Sequence, residues 1–231
     1  MYCFLHMGMT GRISNPSFIP KLESLGNDDS YPPPHTHLIL RSNGYEAAYS
    51  DPRKFGAVTL SNNLTLFDDL ATDALDPLDA NIFVGQKRSI KVILLDQKAV
   101  VSGVGNWVAD EVFYQSQIHP EQKYLTLREG ETLLGKLQHI LQTAVLCLNK
   151  NEEFPKEWIF HRRWDKKRHK KEVIKDHVGR SISFITAGGR SSAIVKLCQK
   201  LKKRHPPDKN DKNELKECVM ESANEGIYIK I

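Results

Sequence analysis

Two glycines and an asparagine, in the order Gly103-Val-Gly105-Asn106, stand between an apolar segment and a segment with helical periodicity. Glycine bends the chain without steric cost, and a helix that starts there presents free N–H groups and the positive end of its dipole. Because glycine has no side chain, a phosphate can approach such a corner closely. The chemistry that this spacing favours is anion binding. Asn106 either caps the helix or donates its side-chain amide to the anion, and the residues alone leave both roles open.

Three predicted helices position this turn. The segment "RSIKVILLDQ" predicts a short helix before it, and "NWVADEVFYQS" predicts a second helix that begins at Asn106 as the N-cap. A third begins at the capping box Thr126–Glu129, in which the hydroxyl and the carboxylate each accept from the other residue's backbone. Its apolar stripe predicts a core-facing side composed of Leu133, Leu134, Leu137, Ile140, Leu141, Ala144, Val145 and Leu148.

Strand patterns flank the helical segment on both sides. Before it, "THLILRS", the turn Asn43-Gly44 and "YEAAYS" predict a tight hairpin, because Asn-Gly supplies the positive φ angles of a two-residue turn. After it, "SISFI" and "SSAIV" alternate around a turn through 186–189 and predict a small hairpin. The acidic, turn-rich stretch around 70–85 predicts a connection between domains.

The composition predicts two small globular units and a polyanionic partner. The chain has 231 residues, and we find neither an apolar run long enough to span a bilayer nor a signal peptide, which predicts a soluble intracellular protein. Its four cysteines are scattered without a C-x-x-C pair, which argues against a zinc finger and a disulfide framework. Residues 1–159 carry 14 Lys and Arg against 19 acids, whereas residues 160–216 carry 18 against 6. A segment with so large an excess of positive charge usually binds nucleic acid, although a surface that is only exposed to solvent is the ordinary alternative.

The segment "LLDQKAVVSGVGNWVADEVFYQSQIHP" resembles the helix-two-turn-helix element of the formamidopyrimidine-DNA glycosylase family. Two further blocks, "HMGMTG" at residues 6–11 and "DPRKFGA" at 51–57, resemble the same family in the same order. The segment "FITAGGRSSAIV" is similar to the zincless finger of the plant and fungal branch, where a β-hairpin replaces the four-cysteine zinc finger. The resemblance covers most of residues 1–200.

The resemblance implies an α+β multidomain fold in which damaged duplex DNA lies in the cleft between a β-sandwich and a helical domain. It also implies a bifunctional DNA glycosylase and AP lyase that acts in base-excision repair on oxidised bases of the formamidopyrimidine and 8-oxoguanine type, and flips the lesion out of the stack. The implied order is a partial N-terminal β-sandwich at 1–67, a linker at 68–86, a helix-two-turn-helix domain at 87–165, a zincless β-hairpin finger at 166–200 and a charged tail at 201–231.

Ten residues match DNA-binding positions of that family. Met9 matches the side chain that enters the space vacated by the flipped base, and Arg53 and Phe55 match the arginine and the aromatic wedge beside it; a core methionine is the ordinary alternative for Met9. Asn106 and Arg190 match the residues that clamp the phosphates beside the lesion, a task that suits the planar guanidinium. The remaining matches, to positions near the lesion, the DNA backbone and the two turns, are His35, Lys91, Gly105, Gly188 and Gly189.

The resemblance fails at the nucleophile. The family uses an N-terminal proline, followed by a glutamate, whose secondary amine attacks C1′ of the damaged nucleotide and forms a Schiff base. The chain begins Met-Tyr-Cys, so no catalytic residue is assigned in it. Two expectations compete: the sequence is a fragment of a complete enzyme, which we favour, or it is a truncated protein that binds damaged DNA without cutting it.

The remaining expectations concern partners and environment. We expect no cofactor and no metal, a monomer, and damaged double-stranded DNA as the partner. Glu111 is expected to be structural, and Trp158 and Trp164 are expected to pack the basic run 162–175 onto the helical core. The resemblance predicts a nuclear protein, and "KLKKRHPPDK" near the end of the chain reads either as a nuclear signal or as an ordinary basic tail.

Overall fold

The strands and helices of the chain fall into two units. The structure, a computed structural model, describes residues 1–20, 30–65, 70–165 and 173–206. The first unit comprises Met1–Leu70 with Ala144–Phe154, and the second comprises Ala71–Thr143 with Pro155–Ile231. None of the described helices is both long enough and apolar enough to cross a membrane.

The first unit is built from two antiparallel sheets. Strands β1 (Tyr2–His6) and β5 (Ala57–Ser61) form one sheet. Strands β2 (Arg12–Ser14), β3 (Thr36–Ser42) and β4 (Tyr45–Ser50) form the other, in the order β2-β4-β3. The turn between β3 and β4 is the predicted one, because Asn43 and Gly44 have φ angles of 47° and 83°. The predicted hairpin is therefore confirmed, and it lies in a sheet that also holds the strand next to Met9.

The second unit contains the three predicted helices: α1 (Ile90–Leu94), α2 (Asn106–Ser116) and α3 (Leu127–Lys150), which extends into the first unit from Ala144 onward. Glu129 N donates to Thr126 Oγ1 over 3.3 Å and Thr126 N donates to Glu129 Oε2 over 3.1 Å, which confirms the capping box. The core is apolar and fully buried around the middle of α2 and α3; its largest members include Phe83, Ile93, Phe113, Leu133, Leu137 and Ile140. Burying side chains of that size stabilises each site by about 1.5–3 kcal/mol.

The predicted stripe of α3 is buried only in part. Leu133, Leu137, Ile140 and Ala144 are buried, but Val145 and Leu148 lie exposed near the end of the helix. Helical periodicity identifies the apolar face of a helix but does not show how far along the helix that face is covered. The predicted burial is therefore wrong for Val145 and Leu148.

The second hairpin is confirmed, but it is not a separate domain. Strands β6 (Ser183–Ala187) and β7 (Arg190–Ile194) pair across Gly188 and Gly189, whose φ angles are 56° and 73°. Ala193 and Val195 share a buried cluster with Tyr114 of α2 and with Ile159, which follows Trp158. The finger therefore packs into the helical unit, and we correct the boundary predicted at 166. Residues 166–172, the middle of the predicted basic run, lie outside the described residues.

The predicted linker is wrong for 71–86, which belongs to the helical unit. Ala74 and Phe83 are fully buried, and Asp73 and Ser102 form a parallel bridge. The acidic residues that suggested a linker serve as local acceptors: Asp79 accepts from Asn81 N over 2.8 Å at the start of a 3-10 helix at Ala80–Phe83. Acid-rich turns occur inside domains as well as between them, since a carboxylate caps free N–H groups.

Residues 201–206, at the start of the predicted charged tail, contact the helical unit, as does Gln199 before them. Gln199 Nε2 donates to Ile118 O over 3.2 Å, and Lys202 N donates to Gln122 Oε1 over 2.8 Å. Arg204 forms an ion pair with Glu129 at the start of α3. Residues 201–206 are thus bound to the loop between α2 and α3, and the rest of the predicted tail, 207–231, lies outside the described residues.

Candidate nucleic-acid interface

The start of α2 is built as the sequence predicts, with one correction. The N-cap is Gly105, with φ −91° and ψ 172°, and Asn106 is the first helical residue. Asn106 therefore does not cap the helix: its Nδ2 donates to the carbonyl of Ser191 over 3.1 Å. Its Oδ1 is buried and has no hydrogen-bond partner among the described residues. A Cβ added at Gly105 would meet no atom within 4 Å, so the space beside the N-cap is open.

Arg190 stands beside this helix start because the finger is held there. Ser191, the acceptor for Asn106, directly follows Arg190, which is exposed at the beginning of β7. The turn before it presses on α1: a Cβ added at Gly188 would lie 2.9 Å from Val92 Cγ2. At Gly189 the φ angle is also positive, 73°, but an added Cβ would meet no atom within 4 Å. The fold thus brings together Asn106, Arg190 and the first turn of α2, a set of donors suited to a phosphate.

Lys91 is not available to DNA, which corrects its assignment. Its side chain has no exposed surface, and its Nζ donates to Asp110 Oδ1 over 2.8 Å, to the carbonyl of Ser191 over 3.2 Å and to Ser192 Oγ. Burial lowers the pKa of Lys91, while the Asp110 carboxylate acts in the opposite direction. The local sequence "IKVIL" shows only a lysine on a short helix. This lysine is buried because Asp110 and Ser192, from distant parts of the chain, pack against it.

In the first unit, two loops carry the exposed candidates and one buried carboxylate ties them together. Asp51 accepts from Thr10 Oγ1 over 2.6 Å and from Gly56 N over 2.7 Å. These hydrogen bonds, led by that of Thr10, lower the pKa of Asp51. Asp51 therefore fastens the loop at residues 7–11 to the loop at 51–56.

The fastened loops present an apolar and a cationic side chain to solvent. Met9 is 71% exposed and Phe55 is 56% exposed, which removes the alternative of a core methionine. The Arg53 guanidinium lies 4.6 Å from the centre of the Phe55 ring, a cation–π arrangement that holds both groups in one place. Both apolar side chains therefore face solvent and contribute little to the core of the first unit.

His35 lies exposed at the start of the hairpin on the same unit. Its φ angle is 62°, which few non-glycine residues adopt, and its carbonyl accepts from Asp51 N over 3.1 Å. The backbone of His35 is thus linked to the residue that fastens the two loops, while its ring remains accessible.

Glu111 is structural, as expected, but its electrostatic state was not visible in the sequence. It is fully buried in α2 and accepts from Phe160 N over 3.0 Å and from Gln115 Nε2 over 2.9 Å. Burial raises the pKa of its carboxyl to about 7. Through Phe160 N, the carboxyl holds the segment that follows Trp158. Trp158 itself is buried, and its ring centre lies 6.3 Å from that of Trp107. Trp164 packs edge-on against Phe160 but remains 44% exposed.

The Glu111 carboxyl makes the stability of the chain depend on pH. With a pKa near 7 in the folded state and 4.5 as its ordinary value, the folded state binds more protons between these values. The free energy of unfolding should therefore fall as pH rises from 4.5 to 7 and then level off, by a few kcal/mol at about 1.4 kcal/mol per pH unit. Glu111→Gln keeps an acceptor for Phe160 N and should abolish this decline. Urea unfolding at pH 5 and pH 8 measures it; an equal decline in both proteins would contradict the prediction.

Comparison with known proteins bears on both units. A family model described as the formamidopyrimidine-DNA glycosylase H2TH domain matches residues 70–154, and a model of the N-terminal domain of the same glycosylase matches residues 1–58. The formamidopyrimidine-DNA glycosylase of Zymomonas mobilis is 31% identical over 212 residues, which cover 84% of this chain and 73% of that protein. The chain belongs to the formamidopyrimidine-DNA glycosylase family.

Other members of the formamidopyrimidine-DNA glycosylase family are longer. The Arabidopsis thaliana glycosylase is 36% identical over 192 residues, which cover 78% of this chain and 48% of that protein. The chain therefore spans about half of the length of that relative. The match to the H2TH model begins at residue 70, which agrees with the placement of 71–86 in the helical unit.

Solved structures of the family share the fold. The MutM (Fpg) protein of Thermus thermophilus aligns with a TM-score of 0.60 at 24% identity, over 87% of this chain and 76% of that one. The Lactococcus lactis protein in complex with Fapy-dG-containing DNA aligns with a TM-score of 0.60 at 22% identity, over 86% and 74%. These likenesses confirm the predicted α+β fold with N-terminal strands and a helix-two-turn-helix domain.

Proposed function

We propose that this protein is a base-excision repair enzyme, a DNA glycosylase and AP lyase that removes oxidised bases of the formamidopyrimidine and 8-oxoguanine type, and that the described residues hold the damaged duplex DNA. The observation that carries the proposal is the junction at the start of α2. There, Asn106 and Arg190 come together at the N-terminal end of the helix, where the helix dipole is positive. The protein's family, whose members are named for glycosylase action on DNA, gives this anion site its proposed partner.

The second unit has the task of gripping the backbone. Arg190 can contact a phosphate at two oxygens, and the helix dipole adds a favourable field at the start of α2. Such contacts fix the register of the protein on the duplex but read no sequence. The exposed arginine, the buried Lys91 and the partly buried Arg163 around Asp110 give this region an excess of positive charge.

The first unit has the task of filling the duplex where a base has left the stack. Met9 and Phe55 are apolar side chains on a fastened tip, and apolar wedges of this kind replace stacking when a nucleotide is extruded. Arg53, held on the Phe55 ring, can donate to the base that has lost its partner. His35 is proposed to contact the DNA backbone near this tip.

The bond-breaking step is proposed for the protein and assigned to no residue of this chain. The acids Asp51, Asp110 and Glu111 are buried, and each already accepts hydrogen bonds from protein groups. The described residues thus suit recognition, which also favours a second candidate: a module that binds damaged DNA without cutting it.

One experiment separates the two candidates. The protein expressed from its full genomic reading frame is incubated with duplex carrying an oxidised purine, and sodium borohydride is added to reduce any imine to a stable amine. A covalent protein–DNA complex is expected for the glycosylase and lyase. Preference for damaged duplex without covalent trapping would establish the binding module, and equal affinity for damaged and intact duplex would contradict both. We propose the nucleus as the site of action, which a fluorescent fusion would test.

A further inference from the structure

Helix α2 and strand β7 lie side by side with matched spacing. Asn106 binds the carbonyl of Ser191, and Asp110, one turn further along the helix, accepts from Ala193 N through Oδ2 over 3.2 Å. Four helical residues advance about 6 Å, and two strand residues advance about 6.6 Å. The two contacts are therefore successive links between the same pair of elements, and together they determine which residue of β7 faces which residue of α2.

The Asp110 carboxylate is the centre of this junction. It has no exposed surface, and besides Ala193 N it accepts from Lys91 Nζ over 2.8 Å and from Arg163 Nε over 2.8 Å. Lys91 in turn donates to the Ser191 carbonyl, which is also the acceptor for Asn106. One carboxylate thus connects α1, α2, the finger and the segment after Trp158.

We propose that Asp110 is a positioning residue for DNA binding: it holds β7 in the register that places Arg190 beside Asn106. A shift of β7 by two residues would move Arg190 by about 6.6 Å, beyond the reach of a phosphate held at the start of α2. A shift by one residue would turn its side chain to the other face of the hairpin. The proposal rests on the proposed function, because it assigns Asp110 an effect on the phosphate contact of Arg190.

The alternative is that Asp110 only stabilises the fold, and the salt dependence of binding distinguishes the two. Each phosphate contact contributes close to one unit to the slope of log affinity against log salt. We expect Asp110→Ala, which removes the acceptor of Ala193 N, to reduce the magnitude of this slope by about one for duplex with an abasic-site analogue. In that background Arg190→Ala should reduce neither the slope nor the affinity further. If the slope stays parental and Arg190→Ala weakens both proteins by the same factor, the proposal is overturned.

A second variant covers the case in which Asp110→Ala does not fold, since that change leaves Lys91 buried without its carboxylate. Lys91→Met with Asp110→Leu replaces the buried pair by apolar groups, a change that cores often tolerate. It still removes the acceptor of Ala193 N, so the same loss of slope is expected. Arg128→Ala, which removes an exposed arginine of α3, is the matched control and should leave the effect of Arg190→Ala unchanged.

Hydrogen exchange tests the register without DNA. In either variant the amide of Ala193, which donates to Asp110 in the parent, should exchange at least tenfold faster, while those in the middle of α2 remain protected. Unchanged exchange in β7 would overturn the proposal. If the variants exchange faster but the parent protein shows no preference for damaged duplex, the role of Asp110 in the register is supported and only the proposed function is refuted.

Discussion

Replacing Asn106 and Arg190 together by alanine is expected to weaken binding to duplex with an abasic-site analogue by about 100-fold or more. A hydrogen bond to a charged group contributes about 1.5–3 kcal/mol, and each 1.4 kcal/mol is a factor of ten in affinity. The double variant removes the side chains that meet at the start of α2. Fluorescence anisotropy with labelled duplex, at one fixed salt concentration, measures the change.

Two controls make that result specific. Arg128→Ala removes the same charge from an exposed position of α3 and should cost no more than a few-fold. Circular dichroism should show the same helix content in the double variant, because both side chains lie at the edge of the core. If the double variant binds as tightly as the parent, the start of α2 is not the phosphate site.

Gly8→Ala is expected to disrupt the tip that carries Met9 and Phe55. Gly8 has a φ angle of 58°, and an added Cβ would lie 2.6 Å from the carbonyl carbon of Phe55, so the two loops would have to separate. The positive φ angle costs an alanine about 1 kcal/mol and overpacking adds about 1–3 kcal/mol. The midpoint of thermal unfolding should fall, and the preference for lesion-containing over intact duplex should be lost.

Gly44→Ala is the matched control. Gly44 also has a positive φ angle, 83°, but an added Cβ would meet nothing within 4 Å. The variant should therefore lose only about 1 kcal/mol of stability and keep its preference for the lesion. Equal behaviour of the two variants would contradict the close packing of the two loops.

Local chemistry accounts for the parts of the fold that sequence reasoning predicted. Asn43-Gly44 forms the expected tight turn, and the Thr126–Glu129 box is closed by both of its hydrogen bonds. Each of these features depends on residues within four positions of one another, so neighbouring residue types are sufficient to predict them. The tip with Met9 and Phe55 was expected from the resemblance of its two loops to family motifs, whereas the hydrogen bond from Thr10 to Asp51 that fastens these loops joins residues 41 positions apart.

Long-range contacts account for what could not be predicted. Lys91 is internal because Ser191 and Ser192, about a hundred residues later, come to lie on it. Asn106 binds Ser191 and leaves the cap to Gly105, for which its own neighbours give no sign. In the sequence Asp110 is indistinguishable from a solvated acid on a helix, and only the assembled junction shows its three donors.

The central claim, that this chain recognises damage in duplex DNA, is tested most directly by competition between two duplexes that differ at one nucleotide. The labelled duplex carries a stable abasic-site analogue, and the competitor is either the same duplex or its intact counterpart. We expect the intact duplex to compete at least tenfold less well at physiological salt, where nonspecific phosphate contacts are weak. Equal competition would show that the chain binds DNA only through its charge and would contradict the claim.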